Sequence, residues 1–405
     1  MDNWKKTFGI IWSGQLISLL TSSIVGYAVV YWLTLQTGSA EVLAYAVIAT
    51  LMPQLVLGLF TGVYIDRWNR KSVMILADVF IAVCTALLCV IFYIGNVEVW
   101  QIYLLLLLRS LGSAFHAPAM QASIPLLAPE SQLMRISGIN QIIYSISSIA
   151  GPALAALFIN ILDMTYVLMF DIVGAAFACI SLLFVTIPKP KKKEDASEPN
   201  FMKEIKEGVQ AIFHNRGMGW LFLCDVGALF FIIPIAALFP LMTVDHFGGN
   251  TYQMSIVEIV WGVGMLLGGA FIGLNKMKSV NKVILIALVC IVNGLTFLLA
   301  GLLPPSGFVI FTILTGMSGV AAAIWNSSFT VLMQTRIEAD KLGRAFSTYD
   351  SLMLMPSIPG LLATGYVAET IGLTNTFVYA GIAVCTIGII ILLIPSVVAL
   401  GKEQE

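Results

Sequence analysis

Charge is what this sequence has least of. Only 11% of its 405 residues are Asp, Glu, Lys or Arg, against 59% hydrophobic, and mean hydropathy is +0.94. Soluble domains carry about 25% charged residues, so too few polar side chains are present to coat a water-facing surface. Soluble enzymes and secreted domains are excluded on that ground. The formal net charge of −1 supplies no basic surplus, which argues against a nucleic-acid partner. Histidine is scarce as well, at three residues, and no His/Cys cluster has metal-ligand spacing, so neither a metal nor another cofactor is expected. The Gly-x-x-x-x-Gly-Lys-Ser/Thr phosphate loop is missing, so ATP hydrolysis by that route is excluded. The six cysteines (Cys84, Cys89, Cys179, Cys224, Cys290, Cys385) all lie inside apolar runs, where no disulfide framework is expected. No Ser/His/Asp set can be argued from the spacing, and nothing else marks an enzyme.

What the chain does have is long apolar segments. Unbroken runs such as 102–108 and 283–292 lack the short alternating pattern of a transmembrane barrel. A helix needs roughly 20 apolar residues to cross the hydrocarbon. Twelve such spans are expected: 10–34, 42–65, 73–95, 100–121, 136–160, 165–187, then 217–243, 254–274, 281–303, 307–332, 345–369 and 374–398. The fold class is therefore an all-α polytopic membrane protein embedded in the lipid bilayer. Lys5 and Lys6 precede the first apolar segment without a small-residue cleavage site after it, so that segment is expected to stay as a span.

The cations set an expected orientation. With a cytoplasmic N-terminus, 20 of the 21 Lys and Arg fall on inner segments, and the outer loops hold only acids such as Glu41, Glu98, Asp163 and Asp245. Both termini are then cytoplasmic. The polar stretch 188–216 divides the spans into six and six, giving an N-terminal half at 1–187 and a C-terminal half at 217–405. Within the stretch, Pro-Lys-Pro-Lys-Lys-Lys is a solvated linker. Asn200 can then cap a short helix whose Phe201, Ile205, Val209 and Phe213 recur every four residues. Two readings of that helix stay open, lying on the inner membrane face or packing against the bundle. A faint repeat relates the halves: Leu133 and Arg135 align with Leu342 and Arg344 at an offset of 209.

The densest motif follows the second span: Gly62-Val-Tyr-Ile-Asp66-Arg67-Trp-Asn-Arg70-Lys71. Gly62 allows close packing, and Asn69 is expected to turn the chain in the left-handed conformation. A membrane anchor explains the cations but not Asp66. This pattern resembles the loop signature of the major facilitator superfamily, with Asn69 where that family usually has Gly. Its second-half counterpart, Gly273-Leu-Asn-Lys-Met-Lys, lacks the acid. Arg109-x-x-Gly112-x-x-Phe115-x-x-Pro118 is similar to the intramembrane Arg motif of the family's drug:proton antiporters. Gly151-Pro152-Ala-Leu-Ala-Ala resembles their antiporter helix, with Ala155-Ala156 in place of a second glycine pair. Thr37-Gly-Ser-Ala40, Gly112-Ser-Ala-Phe-His-Ala-Pro-Ala119, Glu198-Pro-Asn-Phe201, 303–311 and Leu342-Gly-Arg344 look like the bacterial macrolide-efflux permeases. The resemblance implies a twelve-helix fold of two six-helix pseudo-repeats in the bacterial cytoplasmic membrane, functioning as a monomer. It also implies efflux of a small amphiphilic substrate, such as a macrolide, against protons as coupling ion, by alternating access. Relatives exporting siderophores or lipid-like metabolites leave the cargo open, and a membrane subunit of an ABC system is a further alternative.

Some residues carry an argument of their own. Arg109, inside a span, costs about 2.5–3.5 kcal/mol on insertion scales, so it marks either a transport pathway or a structural ion pair. The resemblance links it to proton transfer. Its candidate counter-charges are Asp78, Asp171, Asp225, Glu258, Asp350 and Glu369. Asp225 is the deepest acid of the second half. Burial penalises its charged form, and a carboxyl poised between two charge states suits a proton carrier. Asp225 with Arg109 is the expected coupling pair, followed by Asp171 and Glu258, for which a waterside position is the stronger reading. Asp78 and Asp350 are expected to pair with Arg67, Arg70 or Arg344. Asp66 is expected to approach the start of the eleventh span near 343–345, latching an inner gate with Lys71 nearby. Candidate cavity residues are Gln15, Ser18, Ser22 and Tyr27, His116, Phe230 and Trp261, and Trp325 and Asn326. Gln15 and Asn326 are preferred because lipid exposure would cost them more.

Overall fold

In the computed structural model, residues 4–127, 129, 133–187, 201–273, 281–337, 349 and 352–401 are described. The side chains of 58–60, 62–64, 66, 67, 125, 133–135, 137, 138, 141, 201–205, 208 and 273 are not among them. The first six long helices are α1 (Trp4–Thr37), α2 (Ala40–Arg67), α3 (Arg70–Ile94), α4 (Val99–Leu127), α5 (Leu133–Ile161) and α6 (Met164–Leu183). They are followed by α7 (Phe201–His214), α8 (Arg216–Ala237) and a single turn α9 (Phe239–Leu241), which runs into a π-helical segment at Met242–His246. The chain continues through α10 (Thr251–Gly273), α11 (Lys282–Leu302), α12 (Phe308–Arg336), α13 (Ser357–Ile371) and α14 (Leu373–Leu393).

Among the described residues, eleven helices are long and apolar enough to cross a membrane. Each falls on an expected span. The expected span at 345–369 lies partly outside the described residues; its described portion is 349, 352–356 and most of α13. The chain separates into two compact units, residues 1–36 with 46–199, and residues 37–45 with 200–405. In the first, α3 packs against α4 and α6. In the second, α11 packs against α12 and α14, α10 against α12, and α8 against α13 and α14.

Local chemistry sets where helices begin. Asn69, Asn215 and Asn281 each cap a helix, their side-chain oxygens accepting from Ser72 N (3.3 Å), Gly217 N (2.9 Å) and Val283 N (3.0 Å). Each satisfies a donor that would otherwise be orphaned at a helix start. Asn69 does this in the extended conformation, φ −71° and ψ 107°, which corrects the expected left-handed turn: the cap bond, not a reversal at Asn69, sets the geometry. The left-handed residue is Gly95, φ 84°, which closes the other end of α3.

Apolar surface and polar groups lie on opposite faces, as a lipid solvent requires. On α3, Leu76, Val83, Leu87 and Val90 are exposed, whereas Asp78 and Thr85 are buried. Helices in the second unit approach to backbone contact through glycine. A side chain added at Gly264 would meet the Gly316 carbonyl, and one at Gly319 the Trp261 carbonyl, both across α10 and α12. Gly381 and Gly294 do the same between α14 and α11. Gly319→Leu should therefore overpack this seam at a cost of about 1–3 kcal/mol, read as a lower thermal-unfolding midpoint in detergent. Gly9→Leu, where open space surrounds the backbone, should leave that midpoint nearly unchanged.

Candidate functional site

The first unit contains a buried charge pair. Arg109 on α4 lies 2.9 Å from Asp171 Oδ2 on α6, with relative exposures of 9% and 1%. Thr85 of α3 donates its hydroxyl to the same oxygen at 2.7 Å, and Ser22 of α1 donates to Oδ1. Four helices thus converge on one carboxylate, both of whose oxygens are bonded. Arg109 Nη1 finds no hydrogen-bond partner among the described residues. Asp171 is therefore a core residue, correcting the waterside reading: the cation on α4 draws it inward. The same contact corrects the pairing of Arg109 with Asp225, since the counter-charge that Arg109 meets is Asp171.

Asp225 of α8 lies in the second unit, 1% exposed, with Trp325 Nε1 of α12 donating to its Oδ1 at 3.2 Å. Its Oδ2 is buried with no hydrogen-bond partner among the described residues. Trp325, expected to face a cavity, orients this acid. Glu258 is half-buried on α10 and Asn326 is exposed on α12.

Asp78 of α3 meets His116 of α4 at 3.4 Å; of its expected partners Arg67, Arg70 and Arg344, only the Arg70 side chain is described. Arg70 instead donates to the Ala122 carbonyl near the end of α4. Lys71 Nζ donates to the Val185 carbonyl just past α6, at 2.7 Å, so it neutralises the negative end of that helix. Arg336 likewise donates to the Leu400 carbonyl at 2.6 Å. The side chains of Asp66 and Arg67, the surroundings of Gly62, and Arg344, Asp350 and residues 343–345 lie outside the described residues, as does the expected inner latch.

Gln15 is fully buried, and neither polar atom of its amide has a partner among the described residues. Ser18 is half-buried, and so is Tyr27, whose ring centroid is 6.0 Å from that of Tyr31. Phe230 packs edge-on against Phe231, and Trp261 is half-buried beside the glycine seam. In α5, a side chain at buried Gly151 would run into Ser23 of α1, and Ser23 donates to the Ser147 carbonyl at 2.8 Å, ahead of Pro152 inside the same helix. Sequence reasoning missed Thr85 and Ser23. Both are hydroxyls in apolar runs, and only the identity of the neighbouring helix shows what they bond. Among the described residues no group of three or more His, Cys, Asp or Glu is placed to hold a metal, and all six cysteines are free.

Removing one member of the Arg109–Asp171 pair leaves a buried charge unpaired, at a cost of about 3–5 kcal/mol. Asp171→Ala should sharply reduce folded protein in the membrane, measured by size-exclusion of the solubilised chain. Arg109→Met combined with Asp171→Leu should recover folded protein relative to Asp171→Ala. A double variant no better than the single one would contradict the pairing.

The Major Facilitator Superfamily model matches residues 11–358. Macrolide efflux protein A of Streptococcus pyogenes is 37% identical over 391 residues, covering 96% of both chains. The multidrug efflux pump Tap of Mycobacterium bovis is 22% identical over 378 residues, covering 90% of this chain and 88% of that protein. Among solved structures, a mutant of the nucleoside transporter NupG superposes with a TM-score of 0.74 at 16% identity, covering 97% of this chain and 100% of that one. A polytopic helical bundle with charge buried inside it, and end-to-end likeness to membrane transporters, lead to one conclusion: the chain belongs to the Major Facilitator Superfamily and is a multi-pass membrane transporter, not an enzyme.

Proposed function

We propose that this transporter expels amphiphilic drugs, macrolides among them, from the cytoplasm or inner leaflet in exchange for protons. The observation that carries the reading is the 37% identity to macrolide efflux protein A across 96% of both chains. Likeness on that scale extends along nearly the whole chain, not only through the family's shared loop. In this reading the protein has twelve crossings, one of them at 345–369, arranged as two six-helix repeats with both termini cytoplasmic. The repeats expose a midplane cavity to one side and then the other.

Asp225 is assigned the coupling role. An acid sealed in a helix bundle, with one oxygen held by Trp325 and the other unpartnered among the described residues, changes charge only when its surroundings change. That is the requirement for exchanging proton against cargo. Arg109 and Asp171 are assigned a scaffold role in the first unit, because both oxygens of Asp171 are bonded to other helices. Gly151 and Pro152 form a fixed hinge against α1. Gln15, Ser18, Ser22, Tyr27, Phe230, Trp261, Trp325 and Asn326 remain the candidate cavity residues, with Glu258 as the reserve acid.

Cells carrying the protein should accumulate several-fold less radiolabelled macrolide than cells without it, and a protonophore should abolish the difference. Asp225→Asn should raise accumulation without protonophore while leaving the protein in the membrane. Macrolide levels equal to those of cells lacking the protein would remove the macrolide assignment. Exclusion intact in Asp225→Asn would move the coupling role to Glu258.

A further inference from the structure

The polar residues of the first unit recur at an interval of seven. Gln15 and Ser22 lie on α1, Asp78 and Thr85 on α3, Arg109 and His116 on α4. Seven residues are two helical turns, within about 20° of the same face and about 10 Å along the axis. Helices α1 and α3 run antiparallel to α4 in sequence direction through this unit, as the Ser22, Thr85 and Arg109 contacts to a single carboxylate require. One heptad back on α1 and α3, and one heptad forward on α4, therefore leads to a common second depth. The Asp78–His116 contact at 3.4 Å confirms that depth for two of the three residues. On α1, Gly14 abuts Ser181 of α6, and Trp12 shares a packed cluster with Met74 and Phe115. The register thus puts Gln15 at the same level.

The two layers differ in how well they are satisfied. In the first, Asp171 has three partners. In the second, His116 Nε2, Asp78 Oδ2 and both polar atoms of the Gln15 amide are buried without hydrogen bonds among the described residues. Leaving such groups dry is costly, so the layer calls for a ligand that both donates and accepts. Water meets that requirement, and a carboxylate beside an imidazole is the chemistry that binds a proton.

We propose that Gln15, Asp78 and His116 form a second proton-binding site, hydrated through the Gln15 amide and separate from Asp225. Uptake of one proton raises the charge of the pair by one and release lowers it by one, with water and the Gln15 amide available to stabilise the change. The charged and titratable groups on the surrounding elements are few. Arg70 and Lys71 at the start of α3 are held by carbonyls, and Cys179 of α6 is within electrostatic reach of Asp78. Arg109 and Asp171 lie two turns away and are paired with each other. On α1 the nearest charges are Lys5 and Lys6, exposed at its start. The side chains of Asp66, Arg67 and Arg135 lie outside the described residues.

The proposal rests on the proton-coupled reading only for its role in transport, and its test is a binding measurement. The full chain is placed in lipid nanodiscs with isotope-labelled histidine, and His116 is assigned by the signal lost in His116→Gln. The His116 ring signal should pass between its neutral and protonated forms as pH is varied, and Asp78→Asn should displace that change. Gln15→Leu, which keeps the volume but removes the amide, should broaden or displace the same signal. A ring that does not titrate in the wild-type chain, or a midpoint unmoved by Asp78→Asn, would overturn the site whether or not the variants transport. Protonophore-insensitive efflux with a titrating, Asp78-dependent His116 would leave the site standing and remove the coupling reading instead.

Discussion

A charge placed inside a lipid-facing bundle must meet its opposite there, and in this protein Arg109 meets Asp171. Everything else in the first unit is arranged around that contact. Asp171 is 1% exposed and takes bonds from three different helices, so the crossing points of α1, α3 and α4 on α6 are specified by polar geometry. Apolar packing alone specifies crossing points poorly in a bilayer, because lipid tails compete with side chains on equal terms. The pair adds less net stability than its Coulomb energy suggests, since both ions were taken from water. Its contribution is to make one arrangement of four helices much better than the others.

The second unit solves the same problem by another route. Glycines let α10 approach α12 and α11 approach α14 to backbone contact, and a single acid, Asp225, is held by a tryptophan rather than by a cation. One unit is thus pinned by a buried ion pair, and the other keeps a buried acid with one oxygen unpartnered among the described residues. That asymmetry is what the proposed division into scaffold and coupling roles rests on. The basic loops fit the same economy of charge. Lys71 and Arg336 end on carbonyls at or just past helix ends, so part of the cation bias also closes helices.

Spans and polar faces were legible in the sequence because they depend on position along one helix. Apolar length marks each crossing, and the buried faces of α3 and α4 follow from where Asp78 and Arg109 interrupt apolar runs. Partner identity was not legible, because it depends on which helices are neighbours. Asp171 was read as waterside by counting residues from the end of its span, yet the side chain turns to a cation on another helix. Asp78 was assigned to the nearest arginines in sequence, and it meets His116 from across the bundle. Asn69 was read as a turn residue by analogy with glycine, and its amide is used as a cap. The seven-residue recurrence was present in the sequence, but it acquired meaning only once Ser22, Thr85 and Arg109 were seen on one carboxylate.

The central claim is exchange of a proton for cargo through an acid buried in the second unit. It is tested most directly by reconstituting the purified chain in proteoliposomes enclosing a pH-sensitive dye and imposing a macrolide gradient. The account predicts that macrolide moving down its gradient drives protons the opposite way, and that Asp225→Asn loses this movement while still binding macrolide. Macrolide flux with no accompanying proton movement in the wild-type chain would contradict it.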